Sequence, residues 1–215
     1  MAYDHEEQEQ LATIKAAWKQ YGNLITWVLI LALGGYAAWM QWSKYQGDQS
    51  GQASQLYESL QQAVSGKDDT KVQRAANDLK EKFSATSYAS MAALTAAKSA
   101  FEAGDLKVAK QQLQWVVSSS KADDYKALAK LRLAAIALDE KAYDEGLKQL
   151  SGEFPLQLQA DVADRQGDLY VGLGKIDEAR KAYQAAHDKM TEKSPARSLV
   201  QVKLDAIGAA AVAVK

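Results

Sequence analysis

The chain has 215 residues, with 26 Lys and Arg against 27 Asp and Glu, a formal net charge of -1 and no cysteine. Near-neutrality without a basic stripe excludes the phosphate-neutralising surface that nucleic-acid binding requires. The missing thiols exclude disulfides, thiolate metal sites, cysteine nucleophiles and attachment to a membrane through a lipidated cysteine.

Residues 1–20 form an acidic, amphipathic leader. Asp4, Glu6, Glu7 and Glu9 come first, and Leu11, Ile14, Ala17, Trp18 and Tyr21 then recur on one helical face. Acids at the start and Lys15 and Lys19 near the end suit the helix dipole, and such a helix lies readily on a membrane surface. Between Lys19 and Lys44 no residue is charged. A helix rises about 1.5 Å per residue, so roughly 20 apolar residues cross a hydrocarbon layer about 30 Å thick. Trp18 and Tyr21 precede this stretch, and Trp39, Trp42 and Tyr45 follow it, as headgroup-level aromatics do. A transmembrane helix is expected over residues 21–43. A cleaved signal peptide fits less well, because the leader is long and acidic and Trp39–Trp42 offers no small-residue cleavage context. Lys15 and Lys19 before the span outnumber Lys44 after it, which favours a cytoplasmic N-terminus and a periplasmic C-terminal domain. Gly34, Gly35 and Ala38 could let another membrane helix pack closely.

Residues 44–53, with Gly47 and Gly51, read as a linker or as a continuation of the helix. Residues 54–208 then read as helices in pairs, with residues 209–215 as a frayed tail. Turns centred on Gly104-Asp105, Lys141-Ala142 and Gly174-Lys175 are each followed by a small residue, Ala109, Gly146 and Ala179, and four positions later by Leu113, Leu150 and Tyr183. Ala75 and Leu79 continue the series toward the N-terminus, with Ser65–Asp69 as an enlarged turn. A period near 34 residues with a helix-turn-helix in each unit marks a tetratricopeptide-like array. Gly167, Tyr170, Ala179, Tyr183 and Ala186 make the fourth unit the clearest. Ser194-Pro195 opens a helix over residues 195–207 that covers the last apolar face. The fold class expected is therefore all-α: one N-terminal transmembrane helix, an α-solenoid of about four helix pairs and a capping helix.

In such stacks the first helix of each pair lines a concave groove. By register the groove candidates are Met91, Leu94, Lys98 and Phe101, then Leu128, Leu131, Arg132 and Leu138, then Asp161, Asp164, Arg165 and Asp168. Each leucine has a second reading as packed core. Catalytic chemistry finds no foothold in the pattern. The two histidines, His5 and His187, flank the span, and His187 suits a helix C-terminus as a cation. Gly172-Leu173-Gly174-Lys175 lacks the spacing of a phosphate loop and is a repeat turn. No metal ligands, cofactor site or nucleophile motif are expected, which leaves a binding module rather than an enzyme.

The order of these features resembles the YfgM family of ancillary Sec translocon subunits. The residues that carry it are Asp4 to Glu9, the run Ile14 to Gly22, the span ending Tyr36-Ala37-Ala38-Trp39, the four degenerate repeats and Leu199 to Leu204. The resemblance implies a single-pass protein of the bacterial inner membrane with a short cytoplasmic leader and a periplasmic repeat domain. It further implies association with the SecYEG translocon and a PpiD-type periplasmic chaperone, assistance to exported unfolded polypeptides, and a link through the leader to a cytoplasmic response regulator. The alternative readings are a membrane-anchored scaffold for cytochrome maturation or pilus assembly, or a stress-signalling regulator.

Overall fold

A computed structural model describes the backbone of residues 3–213, with side chains described outside 3–9, 17 and 209–213. Every regular element among the described residues is helical. The chain forms two compact units, residues 1–49 and 50–215.

Helix α1, Tyr3–Ser65, runs without a break, including residues 46–52. Gly47 and Gly51 leave open space where a Cβ would stand, so neither is there for a bend or a close approach. In the first unit, Leu24, Trp27, Leu31, Leu33, Tyr36 and Trp39 are all exposed. The Thr26 hydroxyl donates to the Gly22 carbonyl at 2.8 Å, which satisfies it inside its own helix, as an apolar surrounding demands. Among the described residues this is the one helix long and apolar enough to cross a membrane, and none of its apolar window is buried by protein.

The second unit begins with the end of α1 and continues as α2 (Asp69–Lys82), α3 (Ser87–Glu102), α4 (Leu106–Ser119), α5 (Asp123–Asp139), α6 (Tyr143–Gln149), a single 3-10 turn at Leu156–Leu158, α7 (Gln159–Gly172), α8 (Ile176–Lys189) and α9 (Pro195–Ala213). From α2 onward successive helices pack against one another, with α9 against α8 at the end. The core is a row of clusters, each shared by three neighbouring elements. Ala53 and Leu60 of α1 meet Val72, Ala76 and Leu79 of α2 and Ala92 and Ala96 of α3. Leu94, Leu113, Val116, Leu133 and Ile136 fill the space among α3, α4 and α5. Leu150, Val162 and Leu169 continue the row, and Ala179, Tyr183, Val200 and Ile207 close it. Each helix thus buries faces toward two neighbours, as a stack of repeats requires.

Four turns share one hydrogen-bonding pattern. Asp68, Asp105, Ala142 and Lys175 each donate a backbone N–H to the carbonyl five residues back, at 3.0, 2.8, 2.8 and 2.9 Å. The residue before each has left-handed backbone: Lys67 (φ 53°), Gly104 (φ 82°), Lys141 (φ 61°) and Gly174 (φ 71°). This is the Schellman arrangement that ends a helix by satisfying its last carbonyls. The first turn is therefore not enlarged; it has the same geometry as the rest, with lysine where glycine is favoured. It also moves the register of the first unit. Five residues after each turn residue stand Val72, Ala109, Gly146 and Ala179, so Val72 rather than Ala75 occupies the small-residue position, and it is 1% exposed.

Close approaches explain Gly167 and Gly146. A Cβ on Gly167 would lie 2.3 Å from the Tyr183 ring, and one on Gly146 would lie 2.6 Å from Leu169 Cδ2. Helix α6 stops after seven residues, before Ser151 and the left-handed Gly152. Helix α9 reaches Ala213, beyond position 207 where its apolar stripe ends, in keeping with the helix preference of its alanine run. Residues 214 and 215 of the expected tail lie outside the described residues.

Candidate functional site

The candidate groove residues separate into three groups. The first is core. Leu94, 6% exposed, belongs to the packed cluster among α3, α4 and α5, with Leu128 packed against that cluster. Leu131 and Leu138 pack in the same manner against the α5–α7 cluster, and Met91 is half-buried. For these leucines the competing demand of two-sided packing prevails, because α5 is covered by both α3–α4 and α6–α7.

The second group surrounds an open pocket of about 370 Å³ among α3, α4 and α5. Ala97, Phe101, Leu113, Ala135 and Ile136 supply apolar wall, and Arg132 supplies the charge. Phe101 is 44% exposed, a large share for an aromatic ring. Lys98 and Glu102 stand at the same pocket and pair with each other at 3.6 Å. Arg132 Nη1 donates to the Leu94 carbonyl at 3.1 Å, which fixes the guanidinium across the α3–α5 seam. Burial pushes this guanidinium below its ordinary pKa range.

The third group serves the cap. Lys203 of α9 places Nζ 2.7 Å from both Asp164 and Asp168 of α7. The Tyr183 hydroxyl donates to Asp168 at 2.8 Å, and Lys203 lies over the Tyr183 ring, 5.4 Å from its centroid. Burial, then the Asp168 hydrogen bond, pushes the Tyr183 phenol well above its ordinary value. Arg165 contacts Asp168 at 3.4 Å, while its Nε is buried without a partner. Asp161 alone of the α7 candidates is exposed. Sequence reasoning missed Lys203, although a lysine between Val200 and Leu204 on an apolar stripe signals a cation that must meet carboxylates.

His187 stands in the last turn of α8, where the sequence placed it, with Nε2 3.1 Å from Arg197 Nε and Nδ1 3.4 Å from Asp188. Asp68 and Asp105 cap α2 and α4 with their carboxylates, whereas Asp123 and Asp124 lie inside the first turn of α5, whose N-cap is Ala122. At Gly34 and Gly35 a Cβ would meet nothing within 4 Å, and Ala38 is exposed, so this face of α1 has no neighbour among the described residues. No group of three metal-ligating side chains occurs among them either.

An apolar helix that can span a membrane, followed by stacked helix pairs with four matching turns, defines a tetratricopeptide-like repeat protein with a membrane anchor. The family model described as a tetratricopeptide repeat-like domain matches residues 15–209, from within the leader to the last helix. Relatives that carry the name ancillary SecYEG translocon subunit include the following three. The Neisseria gonorrhoeae protein is 30% identical over 208 residues, covering 96% of this chain and 100% of its own length. The Haemophilus influenzae protein is 29% identical, covering 86% and 91%, and the Escherichia coli protein is 29% identical, covering 93% and 95%. The chain belongs to the ancillary SecYEG translocon subunit family.

Proposed function

We propose that this protein is a non-catalytic, membrane-anchored binding module that accompanies the SecYEG translocon in the bacterial inner membrane. One observation carries the reading: the similarity to a protein of that name runs through 96% of this chain and all of the relative, anchor and repeats together. A helix long and apolar enough to cross a membrane supports an anchor at residues 21–43, and a tetratricopeptide-like stack supports reading the repeats as a surface for polypeptides. Lys15 and Lys19 before the span, against Lys44 after it, support a cytoplasmic N-terminus and a periplasmic repeat domain. In that position the repeats meet exported, unfolded polypeptides as they emerge, beside a PpiD-type chaperone. The leader is left to reach a cytoplasmic response regulator. Gly34, Gly35 and Ala38 form the open face on which another membrane helix would pack.

The test is affinity purification of the tagged full-length chain from native membranes in mild detergent. SecY in the eluate, lost in high-detergent washes but not in moderate salt, is the expected result. Cytochrome-maturation or pilus-assembly proteins in place of SecY would overturn it.

A further inference from the structure

Among the charged side chains at this pocket, Arg132 is set apart by what it lacks. Elsewhere in the repeats Lys203 holds two carboxylates and Lys110 pairs with Glu140 at 2.8 Å. Arg132 has one hydrogen bond, to the Leu94 carbonyl, and no carboxylate within ion-pair distance among the described residues. Glu102 stands at the same pocket but is paired with Lys98. A guanidinium carries five N–H donors in a planar fork that matches a carboxylate, and at Arg132, which lines the pocket, the Leu94 carbonyl takes one of them. Around it the wall is apolar, and Phe101 in that wall is 44% exposed. The pocket's volume, about 370 Å³, lies in the range of clefts that engulf a small ligand, about 300–1,000 Å³.

We propose that this pocket receives a bulky apolar side chain of an exported polypeptide, with a neighbouring Asp or Glu carboxylate of that polypeptide seated on Arg132. The occupant follows from complementarity: the apolar wall takes the hydrocarbon, and the one unpaired charge takes one carboxylate. Lys98 and Glu102 neutralise each other and leave that preference intact. The proposal rests on the reading of the repeats as a surface for exported polypeptides, and it adds which sequences they prefer: apolar stretches flanked by acid rather than by base.

The probe is a fluorescein-labelled peptide, Ser-Gly-Ser-Leu-Phe-Glu-Ser-Gly-Ser, titrated by anisotropy with the full-length protein in detergent. Two companion probes replace Glu by Gln, or Leu-Phe by Ser-Ser. The acidic probe should bind about tenfold more tightly than the Gln probe, and the Ser-Ser probe should not bind. Arg132→Gln, which keeps a donor for the Leu94 carbonyl, should abolish the preference for Glu over Gln. Arg132→Lys should restore only part of it, because an ammonium lacks the fork. Phe101→Ser changes an exposed ring and should weaken the Glu and Gln probes alike. Equal affinity of the wild type for the Glu and Gln probes, or an unchanged preference in Arg132→Gln, would overturn the proposal. So would a wild-type dimer in sedimentation that Phe101→Ser dissociates, since the occupant would then be a second copy. Co-purification of SecY separates the two layers: SecY retained without probe binding refutes this pocket alone, whereas probe binding without SecY refutes the translocon reading.

Discussion

Replacing Gly167 by Ala sets two effects of opposite sign against each other. Alanine is favoured over glycine in a helix interior by about 1 kcal/mol, so an unobstructed site would gain stability. At Gly167 the new Cβ would lie 2.3 and 2.4 Å from Cε1 and Cδ1 of Tyr183, where ordinary contact is 3.4–4 Å. The ring has little room to retreat. It is 3% exposed, and its hydroxyl is held by Asp168 at 2.8 Å. Either α7 and α8 separate by about 1 Å or the ring leaves its rotamer, and overpacking of this kind costs about 1–3 kcal/mol. The larger end applies, because the contact is with a ring anchored at both ends, and the net effect is destabilisation by about 1–2 kcal/mol. For a chain of this size that lowers the melting midpoint by roughly 2–8 °C. Gly51→Ala is the matched control, since its Cβ would meet nothing within 4 Å; it should leave the midpoint unchanged or raise it. The assay is thermal melting of the full-length protein in detergent, followed by circular dichroism. A Gly167→Ala protein as stable as the Gly51→Ala protein would refute the claimed close approach of α7 and α8.

Further outcomes follow from the same geometry. Lys141→Gly should raise the melting midpoint by the equivalent of about 1 kcal/mol, because left-handed backbone costs a non-glycine residue about that much; a fall would contradict the turn geometry. Lys203→Met strands the carboxylates of Asp164 and Asp168 and should cost about 1–3 kcal/mol, with hydrogen exchange accelerated in α9 before α3; uniform acceleration would contradict a local cap. The Asp68 carboxyl is held below its ordinary range, first by the Lys71 side chain and then by the Lys71 backbone N–H. A depressed carboxylate contributes stability above its unfolded pKa and loses it as pH falls through its folded pKa, so Asp68→Asn should flatten the stability profile below about pH 4 and leave its shape at neutral pH unchanged.

What the sequence made legible followed from patterns that local chemistry controls. A charge-free run between Lys19 and Lys44 can hardly be anything but an apolar helix, and glycines at 104 and 174 announced their turns. Lys67 hid an equivalent turn because nothing in a lysine signals left-handed backbone, and Val72 hid the small-residue position because valine still fits there when fully buried. In the groove, Leu94 and Lys98 share a helical face one turn apart, yet α5 covers the first and leaves the second open. That distinction depends on how far a neighbouring helix extends, which spacing within α3 does not encode. The fate of Asp164 and Asp168 was likewise set by a residue 35–39 positions away, Lys203, whose approach exists only once α9 has folded back.

The account depends most on which side of the membrane the repeats occupy, because exported polypeptides emerge on one side only. A reporter active solely in the periplasm, fused after Lys215 of the full-length chain, measures this directly in living cells. The account predicts an active periplasmic reporter, a silent cytoplasmic reporter at the same junction, and erosion of that preference when Lys15 and Lys19 become Gln and lysines are added around Gln46. Full activity of the cytoplasmic reporter in the unmodified chain would contradict the topology, and with it a role among exported polypeptides beside the translocon.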